Sequence, residues 1–198
     1  MRLSSLCAAL AAAILPLAAA NAQQQVTKST ASGFFIGLGL EGDGLTTNQV
    51  GATTESGSGG GLELGYGFNK RWSLYGELSG AQMNASGGDT YSLAHLDLGA
   101  RVHFRAGPNV VVPFLQFGLA GRAVAADVNG STVSGSGGGL SLGGGLNAHF
   151  TPSVAFSGAV TWTVGTFDTF RVDNQTVAGS SIDATTARVH LGIIWFPH

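Results

Sequence analysis

Four internal histidines, His95, His103, His149 and His190, and a scatter of acids and arginines are the residues of this 198-residue chain that could do chemistry. Histidine with serine would suit nucleophilic hydrolysis, which needs nucleophile and base within hydrogen-bond reach and an acid to orient the base. No serine stands two positions from a histidine on a shared face; His149-Phe150-Thr151 comes nearest. The histidines form no compact metal-ligand spacing either. No catalytic, cofactor or metal site is therefore expected. Gly37-Leu38-Gly39-Leu40-Glu41-Gly42 matches the dinucleotide fingerprint GxGxxG, but residues 43–61 lack the helical period that would hold a pyrophosphate. Asn84-Ala85-Ser86, Asn129-Gly130-Ser131 and Asn174-Gln175-Thr176 match glycosylation sequons, as expected by chance in segments so rich in these residues.

The charged residues share something else, which is their place in alternating runs. Eight runs of about ten residues set apolar side chains against small or polar ones, the period-2 sign of a strand. Phe34, Ile36, Leu38 and Leu40 form one apolar stripe; Leu96, Leu98, Ala100, Val102 and Phe104 form another, opposite His95, Asp97, Gly99, Arg101 and His103. By this parity Glu41, Glu63, Glu77, Asp97, Arg101, Arg122 and Arg188 lie on the non-apolar face, joined by His95, His103, His149 and His190. The connections alternate too. Long ones span residues 43–59, 84–90, 127–139 and 168–183, and short ones span 69–71, 105–109 and 151–153.

Short turns on one side and long loops on the other characterise a transmembrane barrel. The pattern predicts an all-β fold, an eight-stranded antiparallel up-and-down transmembrane β-barrel. Its lumen would be just wide enough for side chains to fill. A soluble ligand-binding barrel would turn its charged face to water, whereas here that face is mostly Gly, Ser and Thr. The near balance of luminal acids and bases points to a structural ion-pair network, with the lining of a narrow conduit as the alternative. Phe34, Phe68, Trp72, Phe104, Phe150, Phe156 and Trp195 lie near short turns or the chain termini. They would form an aromatic girdle at the periplasmic interface. Tyr91, Trp162 and Phe167 would form a thinner one at the other end.

Composition bounds the same answer. Only 10% of residues are charged while 44% are hydrophobic, against roughly 25% charged in ordinary globular chains. The 32 glycines exceed twice the usual share of about 7%. A soluble enzyme would need more surface charge, and a disordered chain would be less hydrophobic. A formal charge of −2 leaves no footprint for nucleic acid. Met1-Arg2, the apolar run 3–20 and Ala20-Asn21-Ala22 read as a cleaved signal peptide over residues 1–22, with a cut after Ala20 as the alternative. Cys7 lies within it, so the exported chain would carry no cysteine, which fits a bacterial envelope protein. Residues 23–32 would be a periplasmic N-terminal segment and 33–198 the barrel domain.

The stretches GFFIGLGLEG, GGGLELGYGFNKRWSLYGELSG, VVPFLQFGLAGRAVAAD, GGGLSLGGGLNAHFTPSVAFSGAVTW and ARVHLGIIWF resemble the OmpA-like/OmpX-like small outer-membrane β-barrel family across almost all of residues 33–196. That resemblance implies a Gram-negative outer-membrane barrel, exported, monomeric and cofactor-free, with a structural, adhesive or envelope-integrity role rather than an enzymatic one. A narrow porin-like channel is the alternative, and a lipid A-modifying enzyme the less favoured one. Members usually end on an aromatic residue read by the barrel-assembly machinery. This chain ends Phe196-Pro197-His198, so Trp195 or Phe196 would supply that signal. The partners expected are outer-membrane lipid and lipopolysaccharide, the assembly machinery, and host or surface ligands met through loops 43–59, 127–139 and 168–183. Those loops are acidic, with Asp43, Glu55, Asp127, Asp168, Asp173 and Asp183 against Arg171.

Overall fold

The computed structural model describes residues 32–48, 53–85, 88–104, 110–128, 130–173, 175–177 and 181–197. The expected signal peptide and all but the last residue of segment 23–32 lie outside these, as do the short connection 105–109 and parts of the longer ones. Among the described residues nine strands are formed: β1 (Gly33–Thr47), β2 (Glu55–Gly67), β3 (Trp72–Asn84), β4 (Thr90–His103), β5 (Val111–Val128), β6 (Ser131–His149), β7 (Val154–Val172), β8 (Gln175–Val177) and β9 (Ile182–Trp195). Consecutive long strands pair antiparallel, and β9 pairs with both β7 and β1, closing the sheet on itself. The result is an eight-stranded barrel, with the three-residue β8 added as a flap on β7. Closure satisfies every ladder and leaves no long free edge.

Both strand ends that close the barrel, Ile36 and Trp195, are paired at the short-turn end. Polar side chains shape those turns. Asn69 Oδ1 accepts from the backbone of Arg71 and Trp72, at 2.8 and 3.0 Å, and Thr151 Oγ1 accepts from Val154 N at 2.9 Å. Such side-chain caps substitute for ladder partners where the chain reverses.

The wall is inside-out relative to a soluble protein. Leu40 is 75% exposed and Leu38, Leu119, Leu140 and Leu142 nearly as much, whereas Arg101, Asp97 and His95 are almost wholly buried. A contiguous apolar belt of this extent needs a hydrocarbon environment. Among the described residues no helix is long and apolar enough to cross a membrane. Phe34, Phe68, Trp72, Phe104, Phe150, Phe156 and Trp195 all point outward at the short-turn end.

Three sequence expectations need correction. The segments taken as long loops are mostly strand: residues 43–47 extend β1, 55–59 extend β2, 131–139 open β6, and 168–172 end β7. Glycine and serine are poor strand formers, which is why composition marks these segments as loops. Here the ladder overrides propensity, because paired strands approach too closely for side chains. A Cβ on Gly137 would run into the Thr166 carbonyl oxygen of β7. At 19 residues, β6 and β7 are each about 60 Å long, well beyond what a tilted strand needs to cross an apolar band about 25 Å tall. Asp43, expected in an external loop, is instead buried inside the barrel. Finally, Tyr91 and Phe167 face inward and only Trp162 of the expected outer girdle faces out. A β-bulge opposite Ser136/Gly137 shifts the register of β7, so Phe167 and Phe170 both reach the interior although three positions apart.

Candidate functional site

The interior is stacked in layers from the short-turn end outward. The lowest is apolar, built from Phe35, Tyr75, Ala155, Ile194 and Phe196. His149 stacks on Phe196 with ring centroids 5.4 Å apart. Ser73 Oγ lies 3.0 Å from His103 Nε2 in the same region. Sequence spacing misses this pair because Ser73 is on β3 and His103 on β4. It has no orienting acid, for His103 Nδ1 is buried without a partner and an aromatic ring, Phe114, stands beside it.

Above it sits the Arg101 layer. The guanidinium donates to both oxygens of Glu63, each at 2.8 Å, and twice to Gln116 Oε1, at 3.1 and 2.8 Å. Gln116 in turn donates to Thr161 Oγ1 at 2.9 Å. Phe114 and Tyr75 place their rings 4.3 and 4.9 Å from the guanidinium carbon. Among these four polar residues no buried side-chain atom lacks a partner. A planar fork matched to a carboxylate and bracketed by aromatic faces is the arrangement that compensates a buried charge best.

The third layer is different. Arg188 donates to Ser79 Oγ at 3.0 Å, to Glu77 Oε1 at 3.3 Å and to Asp97 Oδ2. His190 Nδ1 lies 3.3 Å from Glu41 Oε1. His95 Nε2 is 3.5 Å from Asp43 Oδ1, too long for a hydrogen bond, and all four polar atoms of that pair are unpartnered. Glu41 Oε2, Asp97 Oδ1 and Arg188 Nε are also buried and unpartnered. Arg122 donates to the Ala184 carbonyl at 3.1 Å and places its guanidinium carbon 5.1 Å from the Phe167 ring, leaving Nε and Nη2 unpartnered. Glu41, Glu77 and His190 come from β1, β3 and β9, and one ligand-capable atom of each lies within 4.8 Å of the other two. Alternation puts each of them inside, but only closure and strand stagger bring them together.

The outer end is apolar again. Leu45, Ala81, Met83, Leu93, Phe167 and Ala184 form a buried cluster, with Tyr91, Val124 and Phe170 packed against it. Over this floor opens a cup of about 690 Å³, lined by Leu45, Tyr91, Val124, Phe167 and Phe170 and rimmed by Glu55 and Asp89. Tyr91 donates to Glu55 Oε2 at 2.7 Å across that rim. Beyond it the β5–β6–β7 ribbon continues, held by Thr132 N donating to Asp173 Oδ1 and Thr132 Oγ1 donating to Asp127 Oδ1. Val128, Val133 and Val172 are exposed on it, and Val177 on the β8 flap beside it.

Comparison with known proteins agrees with this architecture. The family model described as outer membrane protein beta-barrel domain matches residues 7–194. No curated protein matches the chain at the level of sequence. Among solved structures, Neisserial surface protein A superposes with a TM-score of 0.67 at 15% identity, covering 84% of this chain and 99% of that one. OprG, an outer membrane protein of Pseudomonas aeruginosa, gives 0.60 at 13% identity, over 85% and 98%. Ail, the attachment invasion locus protein of Yersinia pestis, gives 0.52 at 16% identity, over 83% and 99%. At such identities the likeness is one of fold.

Proposed function

Because the chain belongs to the outer membrane protein beta-barrel domain family, we propose that it is a closed, non-conducting and non-enzymatic outer-membrane barrel that works at the cell surface. The filled interior carries this reading. Apolar layers lie at both ends of the barrel, and between them Arg101 and Arg188 are paired with Glu63, Glu77 and Asp97. A conduit would need a continuous polar path, and a hydrolase would need its nucleophile and base within reach of lipid or water. Ser73 and His103 are each at most 4% exposed inside the barrel. Lipid would meet the apolar belt, with the seven outward aromatics of the short-turn end as a periplasmic girdle. Two of the compared structures are named for the surface and for attachment, which suits a binding role.

Binding would use the outer cup and the protruding ribbon rather than the long loops expected from composition. Described acids near this end, Glu55, Asp89, Asp127, Asp168, Asp173 and Asp183, outnumber Arg171. A partner would therefore be basic, or anionic lipopolysaccharide bridged by divalent ions, with an apolar portion for the exposed valines. The test is electrical. Purified protein added at high load to planar bilayers should produce no conductance steps, and regular steps would overturn the closed-barrel reading. In parallel, serine at Val128, Val133, Val172 and Val177 should lower adhesion of expressing cells without altering the gel-mobility difference between unboiled and boiled protein.

A further inference from the structure

From the third layer of the lumen we infer that Glu41, Glu77 and His190 form a site for one first-row divalent cation of the zinc type. Their ligand atoms lie within 4.8 Å of one another. Two carboxylate oxygens and an imidazole nitrogen are a donor set that zinc accepts and that calcium or magnesium, which prefer oxygen alone, does not favour. Glu41 contributes the second observation. Its side chain is fully buried, yet Oε2 has no hydrogen-bond partner, and no arginine donates to it. A buried carboxylate left this way is costly unless a cation compensates it.

Charge counts across the whole interior lead to the same place. Among the described residues five carboxylates are buried, Glu41, Asp43, Glu63, Glu77 and Asp97, against three guanidinium groups, Arg101, Arg122 and Arg188. Arg101 is committed to Glu63 and Arg188 to Glu77 and Asp97. Counted as ionised, the acids exceed the guanidinium groups by two, and Glu41 is one of the two acids, with Asp43, that pair with no arginine.

The backbone is shaped for the convergence. Glu41 reaches from β1 across β2 because residue 61 is glycine; a Cβ there would stand 2.7 Å from Glu41 Oε1. The His190 ring lies over paired Gly39 and Gly192, where added Cβ atoms would stand 2.6 and 2.7 Å from Nε2. Three glycines thus let side chains from β1 and β9 lie flat across their neighbours and meet Glu77 on β3. The His190 side chain keeps 11% exposure, against none for Glu41.

The experiment uses untagged barrel refolded into detergent free of lipopolysaccharide and stripped with chelator. Zinc titrated by calorimetry should bind at one equivalent, and cobalt should give a visible d–d absorption at the same stoichiometry. His190→Ala and Glu41→Gln should each weaken zinc by about 100-fold or more, while His149→Ala, at the other end of the lumen, should leave it unchanged. Gel mobility of unboiled protein reports whether each variant has closed. Should His190→Ala fail to close, the nearly isosteric Glu41→Gln decides. Zinc-edge X-ray absorption of the wild-type protein decides independently of both: one imidazole with oxygen ligands is expected. Absence of saturable binding, survival of tight binding in a closed His190→Ala or Glu41→Gln barrel, or a multi-histidine absorption spectrum would overturn the site. In the first case the two carboxylates must share a proton instead.

Discussion

Two charged layers lie one above the other in the same lumen, and they are built on different principles. Around Arg101 the donors and acceptors are matched: one guanidinium, one carboxylate, one amide and one hydroxyl, with aromatic faces closing the shell. Around Glu41 and Asp43 they are not, since acid exceeds base and several buried atoms lack partners. Burying a charge is tolerable only when the compensation is geometrically complete. The lower layer is complete within the protein, and its role is to hold the wall together. The upper layer needs something more, and that makes it the better candidate for chemistry.

The largest effect that would break this contrast is in the lower layer. Arg101→Met should destabilise the barrel by about 3–5 kcal/mol, because Glu63 is left as an uncompensated buried charge. Urea unfolding in lipid vesicles, followed by gel mobility, would measure it. Adding Glu63→Gln to that variant should recover a large part of the loss, a coupling read from the double-mutant cycle. If Arg101→Met costs under about 1 kcal/mol, the lower layer is not the structural one.

The upper layer should answer more weakly and with a different dependence. In chelator, Glu41→Gln should leave stability unchanged or raise it, because it removes a buried charge that lacks an arginine. With zinc present the wild-type barrel should gain stability by mass action and the variant should not. A large loss in chelator would show that Glu41 is already compensated, which would erase the contrast.

Glycine substitutions sharpen the comparison at the smallest scale. Gly61→Ala should cost about 1 kcal/mol or less, since the Glu41 carboxylate can swing away, but should abolish the zinc-dependent gain. Gly42→Ala, on the opposite face of β1 with no atom within 4 Å of an added Cβ, should leave both stability and zinc response within about 0.5 kcal/mol of wild type. Equal responses of the two variants to zinc would remove Glu41 from the site.

Much of the fold is legible in the sequence. Alternation assigns Glu63, Glu77, Asp97, Arg101, Arg122 and Arg188 to one face of their strands, and each is buried inside the barrel. The outward stripe follows from the same parity, as with Leu38 and Leu40. Strand length was not legible. Residues 131–139 carry the composition of a loop and form the outer part of β6, because pairing on both sides outweighs the weak propensity of Gly and Ser. Asp43 was misplaced for the same reason. Phe167 and Phe170 could not both be placed, because a bulge breaks the period on which parity depends.

The sequence by itself therefore determined the class of solvent on each side of the wall. Side-chain direction in a strand repeats every two residues, so hydropathy along the chain maps directly onto lipid and lumen. Only the tertiary structure decided which luminal groups meet. Glu41 and Glu77 are 36 positions apart and His190 lies a further 113 along the chain, and no local period relates them. Closure of β9 on β1, the stagger of neighbouring strands and three glycines low enough for side chains to cross place all three ligand atoms within one small sphere.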